Sequence, residues 1–279
     1  MATLQRLWKA SPPLTAAGLL MIVVFVASAA AMAVDDTTIL GAPTWLKPVK
    51  FAVSSAIYAF TLAWIFTFLP ERKRLTTIVG WITAAVLVLE VGIIDIQAAR
   101  GTTSHYNVGT PLDAALFSTM GTAIVVLFGS AIALTVALFR HRFANDAFGW
   151  ALRLGMLLAV LGQATGGIMT TPSRAQIEAQ RATGVKVAGA HTVGAPDGGP
   201  GLPLTGWSRE HGDLRVPHFV GMHAVQLLPL TAWLLGLLVP TAWQRRAAFA
   251  AAAGYYALFV ILLVEALGGH PVVPMMVAR

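Results

Sequence analysis

Seven stretches of nineteen or more mostly apolar residues dominate this chain: Leu14–Val34, Phe51–Leu69, Leu75–Ala99, Pro111–Phe139, Ala147–Thr170, Val216–Val239 and Ala247–Gly268. A helix needs about 20 such residues to cross the hydrocarbon of a bilayer. Hydrocarbon offers backbone amides no hydrogen-bond partner, so a segment that enters it must satisfy its own backbone, as a helix does. Each stretch is bounded by charge, Pro or Gly. The expected fold is an all-α bundle of seven transmembrane helices forming one domain over residues 1–279. Composition agrees, with 57% apolar and 11% charged residues, against about 25% charged in a soluble domain. A soluble enzyme, a disordered chain and a coiled coil are excluded on these grounds.

Basic residues set the expected orientation. Arg6, Lys9, Arg72, Lys73, Arg74, Arg140, Arg142, Arg245 and Arg246 fall in short segments that share one side if the N-terminus is inside. The other connections are longer and carry their basic residues more sparsely. This is the positive-inside pattern, and it predicts N-inside, C-outside in a bacterial inner membrane. The net charge of +7 is therefore topological, with no nucleic-acid partner implied; the lipid bilayer is the first partner, and a homo-oligomer is compatible with the pattern. Arg6 and Lys9, the apolar run Leu14–Val26 and Ala31-Met32-Ala33 resemble a secretory leader. The segment is read as the first span instead. The absence of cysteine removes disulfides, thiolate metal sites and thiol catalysis.

One connection is long, Thr171 to Arg215. Thr171-Pro172 predicts a helix start, with a short helix to about Ala182 stopped by Gly184. A Gly- and Pro-rich stretch, 189–212, follows. It carries His191, Trp207 and His211, with Arg215 just beyond, and it reads either as a loose outer loop or as a lid over an outer mouth.

An ionisable group within hydrocarbon costs several kcal/mol unless it is paired or faces a cavity. Glu90, Asp95 and Gln97 lie in the outer half of the third span, Asp113, Ser118 and Thr122 in that of the fourth, and Gln163 in that of the fifth. His218, His223 and Gln226 enter from the outer end of the sixth. Glu265 lies near the outer end of the seventh, followed by His270. The inner half offers only Arg153 beyond hydroxyl and aromatic residues. The asymmetry predicts a pocket open to the periplasmic side rather than a path through the membrane.

Two chemistries fit these residues. In the first, imidazoles and carboxylates without thiols hold a transition metal, zinc, iron or copper, or haem b, with redox chemistry on a small or lipophilic substrate. His223 is the expected ligand, completed by His105, His218 or His270. Arg100 and Arg215 would face haem propionates, with Gln163 and Gln226 lining the pocket. Glu90, Asp95 and Glu265 would serve as ligands, general bases or proton carriers. His218 and His223 are five apart, so they point about 140° from each other and do not grip one ion from a single helix face. In the second chemistry, Glu90, Asp95 and Glu265 bind the ion of a proton- or cation-coupled transporter or receptor. The seventh span holds no lysine, which excludes a retinal Schiff base there, and the motifs of zinc proteases, P-loops, GxSxG hydrolases and dinucleotide folds are absent. No internal repeat divides the spans into matching halves.

Arg100-Gly101, Ser104-His105-Tyr106-Asn107, Thr110-Pro111-Leu112-Asp113, Pro217-His218-Phe219, Met222-His223 and Gln226 together resemble a group of functionally unassigned bacterial polytopic inner-membrane proteins. The resemblance covers the third to sixth spans and implies a membrane fold without implying an activity.

The orientation has a direct test. A cysteine introduced at Ser208 reacts with an impermeant thiol reagent added to the outside of spheroplasts; reaction only from the cytoplasmic side reverses the topology.

Overall fold

The computed structural model describes residues 2–184 and 187–273. Among the described residues the fold is all-α. Its helices are α1 (Ala2–Ala10), α2 (Pro12–Val34), α3 (Leu46–Phe66), α4 (Lys73–Ala99), α5 (Pro111–Arg140), α6 (Asp146–Met169), α7 (Arg174–Thr183), α8 (Arg215–Leu238) and α9 (Thr241–Leu267). Seven of them, all but α1 and α7, are long and apolar enough to span a membrane. The described residues also form two short antiparallel pairings, Thr38–Ile39 with Ala42–Pro43 and Thr192–Val193 with Gly212–Asp213.

The chain divides into two compact units, Met1–Ser130 with Arg174–Ala188, and Ala131–Ser173 with Gly189–Arg279. In the first, α2, α3 and α4 pack around Met21, Ala52, Ala56 and Val91. Small alanines on α3 let the helices approach. In the second, α6, α8 and α9 pack around Leu158, Ala224, Leu228 and Phe259. Outside these cores the helices expose apolar side chains, among them Val23, Val26, Val125, Leu237 and Val264. Such surfaces are stable against acyl chains and unstable in water, and the protein is a multi-pass membrane protein on this ground.

Three helix ends show how local sequence sets the frame. Ser11 precedes Pro12, and the break it makes separates α1 from α2; Pro is tolerated in a first helical turn because that turn's N–H groups lack intrahelical acceptors. Asn145 caps α6, its side-chain oxygen accepting from the Phe148 N–H at 2.9 Å. Thr110 and Asp113 form a reciprocal pair at the start of α5: the Thr110 hydroxyl donates to Asp113 Oδ2 at 2.6 Å and accepts from the Asp113 N–H at 3.1 Å.

Arg153 is buried near the start of α6. Its guanidinium donates to the carbonyls of Leu138 (3.1 Å), in the last turn of α5, and of His141 (2.6 Å), just beyond it. It also lies over the rings of Phe143 and Trp150. The inner-half charge thus closes a helix terminus.

α6 and α8 meet almost backbone to backbone. A Cβ on Gly162 would lie 2.6 Å from the carbonyl carbon of Gly221, and one on Gly221 would lie 2.5 Å from the Gly162 Cα. This small-residue contact is the membrane form of tight helix packing. Gly221→Ala therefore forces the helices apart and lowers stability by about 1–3 kcal/mol, read as a lower thermal midpoint in detergent; an unchanged midpoint refutes the contact.

Candidate functional site

The residues singled out from the sequence fall in both units. Glu90, Asp95, Arg100 and His105 belong to the first; Gln163, Arg215, His218, His223, Gln226, Glu265 and His270 belong to the second.

In the second unit most of these groups serve their own neighbours. The Glu265 carboxylate meets His270 Nδ1 at 3.2 Å, and both side chains are exposed. Arg215 donates to the Asp213 carboxylate at 2.5 Å and to the Gly206 carbonyl at 2.6 Å. His218 Nδ1 donates to the Gly162 carbonyl at 2.8 Å, beside the Thr165 hydroxyl at 3.2 Å. His223 stacks on Phe219 with ring centroids 4.3 Å apart and hydrogen-bonds Gln226. Gln163 buries an Nε2 with no hydrogen-bond partner. Among the described residues no three His, Asp, Glu or Cys side chains are placed to hold a metal ion.

The connection after α6 is ordered by two aspartates. α7 ends at Thr183, with Gly184 in the left-handed region at φ +72°, close to the stop read from the sequence. Farther on, Asp197 accepts from the His191 ring at 2.6 Å and from the His191 and Thr192 N–H groups at 3.0 and 2.9 Å. Asp213 accepts from the N–H groups of Ser208 (2.7 Å) and Arg215 (3.0 Å). Gly212 presses on the end of α9, where a Cβ would lie 2.0 Å from the Ala266 carbonyl oxygen.

The first unit holds a different arrangement. α4 buries Thr76 (6% exposed), Thr83 (0%), Glu90 (5%) and Gln97 (0%). These four recur every seven residues. Seven residues turn a helix through about 700°, so each step drifts only about 20° from the last. They form one buried polar stripe along the helix, in steps of about 10 Å.

The upper end of the stripe is fully satisfied. Gln97 Nε2 donates to Asp113 Oδ1 at 2.9 Å, and Arg100 joins the same oxygen at 2.8 Å; Arg100 also donates to Gln97. This network ties the end of α4 to the start of α5. The adjoining loop is held by Asn107, whose amide donates to Thr102 Oγ1 at 3.0 Å, and Tyr106 takes the left-handed conformation at φ 61°.

The middle of the stripe is not satisfied. Glu90 Oε1 and Thr83 Oγ1 are buried with no hydrogen-bond partner, and nearer the surface Asp95 Oδ1 shares that condition. The charge that bears on Glu90 is Lys47. Lys47 lies in the first turn of α3, which begins five residues before the apolar run read from the sequence because its polar opening turn hides in the charge boundary. The Lys47 ammonium donates to His105 Nδ1 at 3.0 Å, an atom the Ser104 hydroxyl approaches at 3.1 Å. His105 Nδ1 therefore connects to a cation. Lys47 and Thr83 were not among the residues drawn from the sequence. Pro48 in an opening turn signals the early start of α3, and the spacing of seven from Glu90 points back to Thr83.

No family model matches the chain, and comparison with curated proteins and with solved structures finds no significant match.

The Asp197 network carries a pH dependence. Burial opposes ionisation of this carboxyl, but the hydrogen bonds and charge of His191 and the backbone N–H groups outweigh it and hold the carboxyl well below its ordinary value of 3.8. A depressed value stabilises the fold above the unfolded value and is lost as pH falls toward the folded one. Acidification below about pH 4 therefore loosens residues 189–213, and Asp197→Asn does so at neutral pH, both read as faster proteolysis within this stretch. Equal protease resistance in wild type and variant refutes the role.

Proposed function

We propose that this membrane protein binds and releases a proton or a monovalent cation at Glu90, and that this event drives transport or signalling across the bilayer. One observation carries the reading: a carboxylate is buried deep in a spanning helix with an oxygen that no protein group satisfies. Glu90 lies nine residues, about 14 Å, from the end of α4 at Ala99. A group so placed raises the energy of the fold by several kcal/mol unless an ion or a proton occupies it during function.

Lys47 supports the same reading. A cation that acts on Glu90 while hydrogen-bonded to His105 gives the carboxylate a built-in competitor for an incoming ion. An ion at Glu90 would change the electrostatic environment of Lys47 on α3, the kind of coupling that a transporter or receptor requires.

The metal- or haem-based reading draws on His105 and Arg100 of the first unit, where His105 Nδ1 meets Lys47 and Arg100 pairs with Asp113, and on the second unit, where the imidazoles are engaged pairwise with carbonyl, carboxylate, amide and aromatic partners. The geometry favours the carboxylate chemistry over it.

The test is flux. The purified chain in liposomes takes up protons or sodium under an imposed potential, read by an enclosed indicator dye. Glu90→Gln reduces uptake at least about tenfold, a barrier change of about 1.4 kcal/mol, with an unchanged thermal midpoint. Uptake by Glu90→Gln at the wild-type rate refutes the proposal.

A further inference from the structure

Many threonines and serines in these helices return their hydroxyls to their own helix. Thr15 donates to the Ser11 carbonyl at 2.9 Å, Thr61 to Ile57 at 2.7 Å, Thr76 to Lys73 at 3.1 Å, Thr122 to Ser118 at 2.9 Å and Thr135 to Ala131 at 2.7 Å. In hydrocarbon this is the cheapest way to satisfy a hydroxyl, because the i−3 and i−4 carbonyls are always within reach. Thr83 declines it. Its side chain is 0% exposed, yet its Oγ1 bonds neither its own helix nor any neighbour.

Ser11 behaves the same way. It sits at the break between α1 and α2, is 3% exposed, and its Oγ has no partner. That oxygen lies 2.7 Å from where a Cβ on Gly80 would stand. Gly80 precedes Thr83 by one turn and shares its face of α4. The absence of a side chain at Gly80 therefore leaves room for the Ser11 hydroxyl at the helix surface. Ser11 Oγ, Thr83 Oγ1 and Glu90 Oε1 thus follow one another along one seam of the first unit, each buried and each without a protein partner.

We infer that this seam is a hydrated proton path that connects Glu90 with the end of the first unit where α1 meets α2. The inference rests on the proposed role of Glu90 and adds the identity of the ion and its direction of access. About 10 Å of helix separates Thr83 from Glu90, a gap that roughly three waters at hydrogen-bond spacing span. A hydroxyl both donates and accepts, so each station passes a proton by receiving one and giving up another, with no net change. An alkali or alkaline-earth ion needs several oxygens in one shell, about six to eight for calcium. The seam supplies one side-chain oxygen per level, which suits a proton and not a metal cation. By the positive-inside orientation the seam opens to the cytoplasm, and it supplies the inner steps that the positions of the charged groups alone do not show.

The chain contains no cysteine, so a single thiol can report on water in the seam without removal of native ones. Thr83→Cys in liposomes reacts with a small water-soluble methanethiosulfonate at least about tenfold faster than Ala84→Cys, which is buried one residue away and off the stripe. Thr83→Val, which keeps the shape and removes the hydroxyl, slows proton uptake about tenfold; Thr83→Ser preserves it, and Gly80→Ala, which crowds Ser11, slows it. If Thr83→Cys is as inert as Ala84→Cys, or Thr83→Val conducts as wild type, the path is overturned. Loss of uptake in Glu90→Gln alongside those results leaves the Glu90 site standing without this route. Normal uptake in Glu90→Gln removes the site itself, and uptake of sodium in place of protons overturns the ion assigned here.

Discussion

Hydrocarbon cannot hydrogen-bond, and every feature of this protein follows from how its polar atoms answer that constraint. Backbone groups answer it by forming helices. Helix ends answer it with side chains: Asn145 opens α6, Thr110 and Asp113 open α5, and Arg153 closes α5 by donating to two of its terminal carbonyls. Many hydroxyls answer it by bonding back to their own helices. Against this nearly complete satisfaction, a few buried atoms without partners stand out. In a soluble protein water would reach many such groups at little cost, and the same exceptions would carry far less information.

The spans were legible because a helix that crosses a bilayer must be apolar along its whole length. Five of the seven runs match the observed helices to within two residues at both ends. The errors have a common cause. α3 begins at Leu46 and α9 at Thr241, earlier than hydropathy indicates, because both helices start with turns that carry Lys47 and Lys50 or Arg245 and Arg246. Charge marks where a helix leaves hydrocarbon, and the helix itself continues beyond that level. α1 escaped notice for a related reason: it is a short amphipathic segment with Arg6 and Lys9 among its nine residues, too polar to register as a span.

The candidate site was legible in part. Glu90 stood out as a carboxylate in an apolar run, and its burial with an unpartnered oxygen is the costly arrangement that a bound proton or ion relieves. Asp113, Arg100 and Gln97 also drew attention, but their network satisfies itself and ties α4 to α5. The grouping of residues was not legible, because sequence does not assign helices to units. Glu265 and His223 share with Glu90 only a nominal depth; the fold places them in the second unit, where His270 and Phe219 are their partners. Hydroxyl residues were the larger blind spot. Thr76, Thr83 and Thr122 look alike in a sequence, and only coordinates distinguish a threonine that bonds its own helix from one that does not.

That distinction changes the polarity of the whole argument. Counted by charge, the polar groups gather toward one end of the spans, and the sequence reads as a pocket there. Counted by unsatisfied atoms, the first unit continues from Glu90 through Thr83 to Ser11. Charged groups mark where an ion can rest, because a resting place needs a deep well. Neutral hydroxyls mark where one can pass, because a path needs shallow ones. A protein that moves protons requires both, and the two kinds of residue need not be equally conspicuous. On α4 they occupy one face at a spacing of seven, which keeps the face nearly constant over four positions. The geometry of the α-helix thus lets a single strand of sequence carry both the resting place and the route to it.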